Sequence, residues 1–325
     1  MADTTSPKFS KDVLRIDASR ETERICDFIR RTAARDFRKK GVVVAMSGGI
    51  DSSVVAALCV RALGTERVLG LRLPECESSQ ETLDCSKLMT DFLGVEERTE
   101  DISPILEAAG CYTKRDEAIR KLLPEYGVGF KAKIVLPDIL QDSGYNIFHL
   151  VVRSPKGEEI KKRLTHEAFL GIVAASNFKQ RVRAMLTYHH ADARNYAVAG
   201  TSNFLEHDQG FFVKLGDGAA DLKPIAHLYK AQVYQLAEHL GVPEQIRRRP
   251  PTPDTYPLSQ TAQEFYFSLP LDVLDLCLYA DKHQVPEATV AEALGLQKQQ
   301  VAGIFRNIRQ KRAATAYLHQ TESLL

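Results

Sequence analysis

One short stretch of this sequence concentrates groups that handle phosphate: Ser47-Gly48-Gly49-Ile50-Asp51-Ser52-Ser53. Two adjacent glycines let backbone N–H groups turn inward and approach phosphate oxygens closely. The serine hydroxyls add donors, and Asp51 is placed to hold Mg²⁺ against the same phosphates. A helix starting at Ser52 and Ser53 adds free N–H groups and the positive end of its dipole. The loop has no lysine, so it is not the G-x-x-x-x-G-K-[ST] type, and G-x-G-x-x-G is absent as well. Gly127-Val128-Gly129 lacks a third glycine, and Gly216-Asp217-Gly218 follows no clear strand. Ordinary strand–helix turns also use Gly, Ser and Asp. This density of donors directly after an apolar strand favours phosphate binding over that plainer explanation.

Other residues could complete such chemistry. Glu206 follows a strand end and can join Asp51 as a hard oxygen ligand for Mg²⁺. Lys214 and Lys230 could set positive charge against phosphate oxygens or developing charge at phosphorus. Gly216-Asp217-Gly218 is a turn flexible enough to fold over a ligand, with Asp217 and Asp221 able to contact its polar groups. Arg181 and Arg183 lie two apart on an expected helix and so cannot share one face. Histidines add little: His166-Glu167 lacks the second histidine of a zinc motif, and His189-His190 are adjacent. The six cysteines (Cys26, Cys59, Cys76, Cys85, Cys111, Cys277) form no C-x-x-C pair, which speaks against zinc, dithiol redox chemistry or a disulfide framework.

The elements that must position these groups alternate. A helical pattern over Ser19–Lys39 precedes the branched run Val42-Val43-Val44-Ala45, which suits a buried parallel strand. The glycine loop follows, then a helix over Val54–Leu63. A strand over Arg67–Leu73, a helix over Ser86–Leu93 and a strand over Glu97–Ile102 come next. A helix from Asn177 to about Asp192 leads to strand Tyr196–Ala199, and Leu228–Leu240 is a further helix. This order predicts an α/β fold built on a doubly wound parallel sheet, with ligands beyond the carboxyl ends of the strands. Between 103 and 164 the rhythm breaks: Tyr145–Arg153 and Glu158–Arg163 flank Ser154-Pro155-Lys156-Gly157, the pattern of an inserted β-hairpin. After Pro250-Pro251-Thr252-Pro253 the chain reads as a helical C-terminal extension. The expected organisation is therefore a leader and helix over 1–40, a central unit over 41–255 carrying the 103–164 insertion, and helices over 256–325.

Composition bounds what such a fold can serve. The 325 residues carry 43 Lys+Arg against 42 Asp+Glu, a formal charge of +1. That balance argues against affinity built on neutralising many nucleic-acid phosphates, while leaving room for a local basic pocket. No apolar run approaches a membrane span, and Met1–Ser10 lacks the apolar core of a signal peptide. A cytoplasmic protein that binds neither membrane nor nucleic acid is expected.

Ser-Gly-Gly-x-Asp-Ser after the first strand resembles the pyrophosphate loop of the N-type ATP pyrophosphatases, which cleave ATP between the α- and β-phosphates. Further segments, from about residue 41 to 264, resemble the NAD synthetases within that group. These are Leu71-Arg72-Leu73-Pro74, Asn177-Phe178-Lys179-Gln180-Arg181-Val182-Arg183, and Gly200-Thr201 followed by Glu206. The run Gly210-Phe211-Phe212-Val213-Lys214-Leu215-Gly216-Asp217-Gly218-Ala219-Ala220-Asp221 continues the match. Pro224-Ile225, Leu228-Tyr229-Lys230 and Arg249-Pro250-Pro251-Thr252-Pro253-Asp254 follow in the same order.

The resemblance implies a Rossmann-like adenine nucleotide α-hydrolase fold and a ligase of the ammonia-dependent kind, with ATP as co-substrate and Mg²⁺ as cofactor. The carboxylate of nicotinate adenine dinucleotide would be adenylated and then amidated by ammonia, giving NAD, AMP and pyrophosphate. ATP would meet Ser47, Gly48, Gly49, Asp51, Ser52, Ser53, Arg72, Thr201, Lys230 and Thr252. The dinucleotide would meet Asn177, Arg181, Arg183, Lys214, Asp221 and Lys311, with Asp217 and Lys214 catalytic and Asp51 and Glu206 on the metal. Glutamine-using relatives carry a glutaminase domain first; the 46 residues before Ser47 are too few for one, so free ammonia is expected unless a partner chain delivers it. The family also implies a homodimer. Two departures stand out: Phe204-Leu205 where many members have Lys-Ser, and Arg249 where Lys is common. Competing readings are another ATP pyrophosphatase acting on a different carboxylate or a tRNA, and a non-catalytic nucleotide sensor.

Overall fold

The computed structural model describes residues 9–137, 147–253 and 255–321. In chain order its first half comprises α1 (Ala18–Arg30), β1 (Val42–Ala45), α2 (Ile50–Leu63), β2 (Val68–Arg72), α3 (Gln80–Leu93), β3 (Glu96–Thr99), α4 (Ser103–Ala108) and α5 (Cys111–Arg120). Then come β4 (Lys131–Val135), β5 (His149–Arg153), β6 (Glu159–Arg163), α6 (His166–Arg194), β7 (Ala197–Ala199) and α7 (Phe204–Gln209). The chain continues with α8 (Lys230–His239), α9 (Glu244–Arg248), α10 (Leu271–Lys282), α11 (Glu287–Leu294) and α12 (Lys298–Thr315).

The parallel sheet runs in the order β3-β2-β1-β7, with Val43 opposite Leu69 on one side and Val198 on the other. Successive side chains of β1 leave on opposite faces, and both faces are covered. Val42 and Val44 pack with Ile25 and Ile29 of α1, Val54 and Leu58 of α2, and Val233 and Leu236 of α8. Val43 packs the other way, with Leu69, Leu71, Leu106 and Val182. Burial on both faces explains why β1 reads as an unbroken apolar run. The expected doubly wound α/β fold is what the chain forms.

Boundaries moved where local pattern underdetermined them. Helix α6 begins at His166, well before Asn177, because the Thr165 side chain accepts from Ala168 N at 3.2 Å and caps it there. Gly171, Ile172 and Val173 weaken the helical signal in that first stretch. The inserted hairpin is present, Val151 of β5 lying opposite Lys161 of β6, but β4 joins it as a third antiparallel strand that the sequence did not announce. Tyr145, expected to open the hairpin, lies outside the described residues, as do Met1–Lys8 and Asp254. This small sheet seals its apolar face against α5 and the start of α6 through Ile119, Ile134, Leu150, Val152 and Ile172.

The C-terminal helices form a separate apolar cluster of Leu274, Leu278, Ile304, Phe305 and Ile308, joined by Leu205 and Tyr229. That contact explains one departure noted above. Leu205 is 1% exposed and Phe204 packs edge-on against Tyr229 at 4.8 Å, so the pair docks the C-terminal helices. Among the described residues no helix is long and apolar enough to cross a membrane.

Candidate active site

The glycine loop leaves β1 and enters α2. Gly48 has φ of +71°, and a Cβ there would lie 2.6 Å from the Thr82 carbonyl oxygen, so glycine is required for both conformation and space. Gly49 caps α2 without any side-chain hydrogen bond, which leaves the first-turn N–H groups for an incoming anion. The Ser47 and Ser52 hydroxyls are 3.1 Å apart, and Ser52 donates to Gly49 O at 3.0 Å. Ser53 donates to the same carbonyl at 2.8 Å, so its hydroxyl braces the turn.

In this sheet the connection reverses direction at β1: the chain winds outward through β2 and β3, then returns to place β7 on β1's free side. Open α/β sheets bind ligands at such a reversal. Asp51, just after β1, and Glu206, just after β7, therefore approach from the two sides of the switch. Asp51 is paired with Lys230, the first residue of α8, and its Oδ1 accepts from Asn203 Nδ2 at 2.9 Å. Asn203 also caps α7, accepting from Glu206 N at 3.1 Å, while Glu206 Oε2 accepts from Asn203 N at 3.2 Å.

These neighbours set the charges. The Glu206 carboxyl, in the cavity wall, is pushed up to about 8 by its enclosed position and then by the negative charge of Asp51. Burial pulls the Lys230 ammonium down, but Asp51 and Glu206 outweigh it and hold Lys230 above its ordinary value. The charge of Asp51 beside the Glu206 carboxyl makes the two a donor set that a hard cation would relieve. Mg²⁺ commonly binds through one or two carboxylates plus substrate phosphates.

A cavity of about 730 Å³ opens over this corner. Its wall includes Ser47, Gly49, Asp51, Ser52, Arg72, Thr201, Glu206, Lys230 and Thr252. Asn177, Arg181, Arg183, Lys214 and Asp217 also line it. Arg181 and Arg183 diverge as their spacing requires: Arg181 Nε donates to Lys214 O at 3.4 Å, Arg183 Nε to Leu73 O at 3.1 Å. The guanidinium of Arg72 is engaged by Glu97 at 2.7 Å, Ser86 at 3.0 Å and Leu83 O at 3.1 Å.

Several expected contacts are used differently. Gly48, Ser53, Asp221 and Lys311 are not in the cavity wall. Asp221 accepts from Val198 N at 2.7 Å and from the Tyr188 hydroxyl at 3.4 Å, which ties the loop after residue 210 to β7. Lys311 donates to Tyr266 O at 2.7 Å and lies 4.6 Å from that ring's centre. Asp217 Oδ1 accepts from Val213 N at 2.7 Å, so it closes its own turn instead of hanging free over a ligand. Lys214 donates to Tyr317 O at 3.1 Å and Gln320 O at 3.0 Å, strapping the same loop to the chain's end.

Sequence reasoning missed Asn203, although Asn203-Phe204-Leu205-Glu206 carries the spacing of a capping box. It also missed Lys179, which is 1% exposed. Lys179 donates to Glu75 at 2.8 Å, Glu77 at 2.7 Å and Thr255 O at 2.9 Å. Nothing in a single sequence separates such a lysine from a solvated one. The aromatic wall residues Phe148 and Phe169 were not anticipated either.

The NAD synthase family model matches residues 21–124 and 151–315. Over 311 residues the chain is 53% identical to the NH(3)-dependent NAD(+) synthetase of Rhizobium meliloti (strain 1021), spanning 96% of this chain and 93% of that protein. It is 39% identical over 236 residues to the NH(3)-dependent NAD(+) synthetase of Thermotoga maritima, spanning 72% of this chain and 78% of that one. The solved NH3-dependent NAD synthetase of Campylobacter jejuni shares the fold, with a TM-score of 0.62 at 24% identity, covering 96% of this chain and 100% of that one. With a glycine loop at the sheet's switch point and this extent of matching sequence, the chain belongs to the NAD synthase family.

Proposed function

We propose that this protein makes NAD by ATP-dependent amidation of nicotinate adenine dinucleotide with ammonia. A carboxylate is a poor acyl donor because its oxygen is a poor leaving group. In the first step a substrate carboxylate oxygen attacks the α-phosphorus of ATP, and the bond to the β-phosphate oxygen breaks. Pyrophosphate departs toward the Ser47–Ser52 turn, where the N–H groups at the start of α2 receive its charge. In the second step ammonia attacks the acyl carbon, AMP leaves, and ammonia's surplus proton is lost.

Asp51 and Glu206 would hold Mg²⁺, which neutralises phosphate charge as the α–β bond opens. Lys230, which Asp51 and Glu206 hold above its ordinary value, would give its charge to phosphate oxygens when a cation is held by Asp51 and Glu206. Arg181 and Asn177 of α6 line the same cavity and would orient the acceptor. The observation that carries this reading is the convergence of Asp51, Glu206 and Lys230 on an uncapped helix start. Five buried free thiols suit a reducing cytoplasm. The homodimer that the family resemblance implies belongs to the same proposal.

The test is a product analysis with Mg²⁺-ATP, ammonium and nicotinate adenine dinucleotide. AMP, pyrophosphate and NAD should appear in equal amounts. ADP in place of AMP would overturn the mechanism, and AMP without NAD would assign the chemistry to a different acceptor.

A further inference from the structure

We propose that Phe148 and Phe169 form a subsite for the adenine base of the dinucleotide, the half that takes no part in the reaction. This rests on the function proposed above. Helix α6 turns Phe169, Val173, Ser176 and Gln180 toward the cavity, at spacings that keep them on one helical face. Arg181, placed to orient the reacting half, lies twelve residues from Phe169, roughly 18 Å along the axis at about 1.5 Å per residue. The wall therefore changes character along α6, from cationic near Arg181 to aromatic near its start.

At that aromatic end Phe148, just before β5, meets Phe169 with ring centres 4.5 Å apart and planes inclined by 26°. Tyr256 and Phe265 border the same end, edge to face at 5.6 Å. Both Phe148 and Phe169 rest on the apolar cluster beneath the inserted sheet, yet neither is fully buried. None of these four rings carries charge, so this end suits a flat heteroaromatic base and not a phosphate. ATP, anchored through its phosphates at the glycine loop, has Leu71, Leu73 and Ala199 in the wall beside it for its own base. Phe148 falls between residues 124 and 151, the gap in the family match, so the insertion supplies a surface the family pattern does not.

The experiment compares wild type with Phe148→Ala, Phe148→Leu and Phe148→Trp, using nicotinate adenine dinucleotide and, separately, nicotinate mononucleotide as acceptor. One lost stacking surface should raise the KM for the dinucleotide about tenfold in Phe148→Ala, with kcat and the KM for ATP little changed. Phe148→Trp should restore the wild-type KM, and Phe148→Leu, which keeps apolar packing but not the ring face, should fall between. With the mononucleotide, which lacks the adenine half, all four proteins should behave alike. An unchanged dinucleotide KM in Phe148→Ala would overturn the subsite. So would an equal loss with both acceptors, or a rise confined to the KM for ATP. Wild-type protein that amidates neither acceptor would overturn the functional reading and the subsite with it.

Discussion

Asp51 holds a different partner on each oxygen: the ammonium of Lys230 on Oδ2 and the amide of Asn203 on Oδ1. Its charge also contributes to the high proton affinity of Glu206. Replacing it with asparagine keeps the shape and removes the charge that pairs with Lys230 and that Mg²⁺ bound there would need. Asp51→Asn should therefore lower turnover on the order of 100-fold or more, with the circular dichroism spectrum unchanged. Near-normal turnover in the folded variant would overturn the proposal that Asp51 holds a metal. Gly48 works by absence at the same scale, since any side chain there meets the backbone of α3.

At the scale of elements, helix α8 delivers Lys230, and the C-terminal helices hold α8 in place. Asp275 of α10 is fully buried and accepts from Ala231 N at 2.7 Å, in the first turn of α8. Burial pushes its carboxyl from an ordinary 3.8 up to about 7. The folded state thus binds that proton more tightly than the unfolded chain. Stability contributed by the neutral form is complete below an ordinary carboxyl pKa and is lost as the pH rises toward 7. Asp275→Asn retains an acceptor for Ala231 N–H and cannot ionise. Wild type and variant should unfold alike below about pH 3. The variant should gain on wild type up to about pH 7 and then hold a lead on the order of 4 kcal/mol. Urea unfolding across that range measures it, and a variant weaker at every pH would show that the cap needs the carboxyl group itself.

Across the whole molecule, a buried ionic network fastens the insertion to the nucleotide core. Lys179 of α6 pairs with Glu75 and Glu77, which follow β2, and Arg115 of α5 pairs with Glu77 at 2.7 Å. Burial pushes the Glu75 carboxyl up, but the charge and hydrogen bond of Lys179 overcome it and hold it below the usual value. Lys179→Met would leave Glu75 ionised without its partner, a change that costs about 3–5 kcal/mol. The urea midpoint should fall accordingly, and adding Glu75→Leu should recover most of the loss. A midpoint that does not move would mean that the network carries no stability.

Much of the candidate site was legible because its signals are local. The apolar run of β1, the paired glycines and Asp51 specify a strand, a turn and a ligand group within ten residues, and the later motifs repeat that economy. The sheet order β3-β2-β1-β7 was not local, since it depends on which strands bury their faces together. That order is what brings Glu206 to Asp51 across 155 positions of chain, joined through Asn203. Tertiary packing also decided that Lys179 is buried, that Asp217 and Asp221 brace their own loop, and that Phe148 reaches the cavity. Each of those outcomes depends on neighbours far away in sequence. By itself, then, the sequence determined the phosphate chemistry and the α/β class. Only the folded chain decided which charges meet, because burial and charge pairing depend on distances that spacing along a chain does not set.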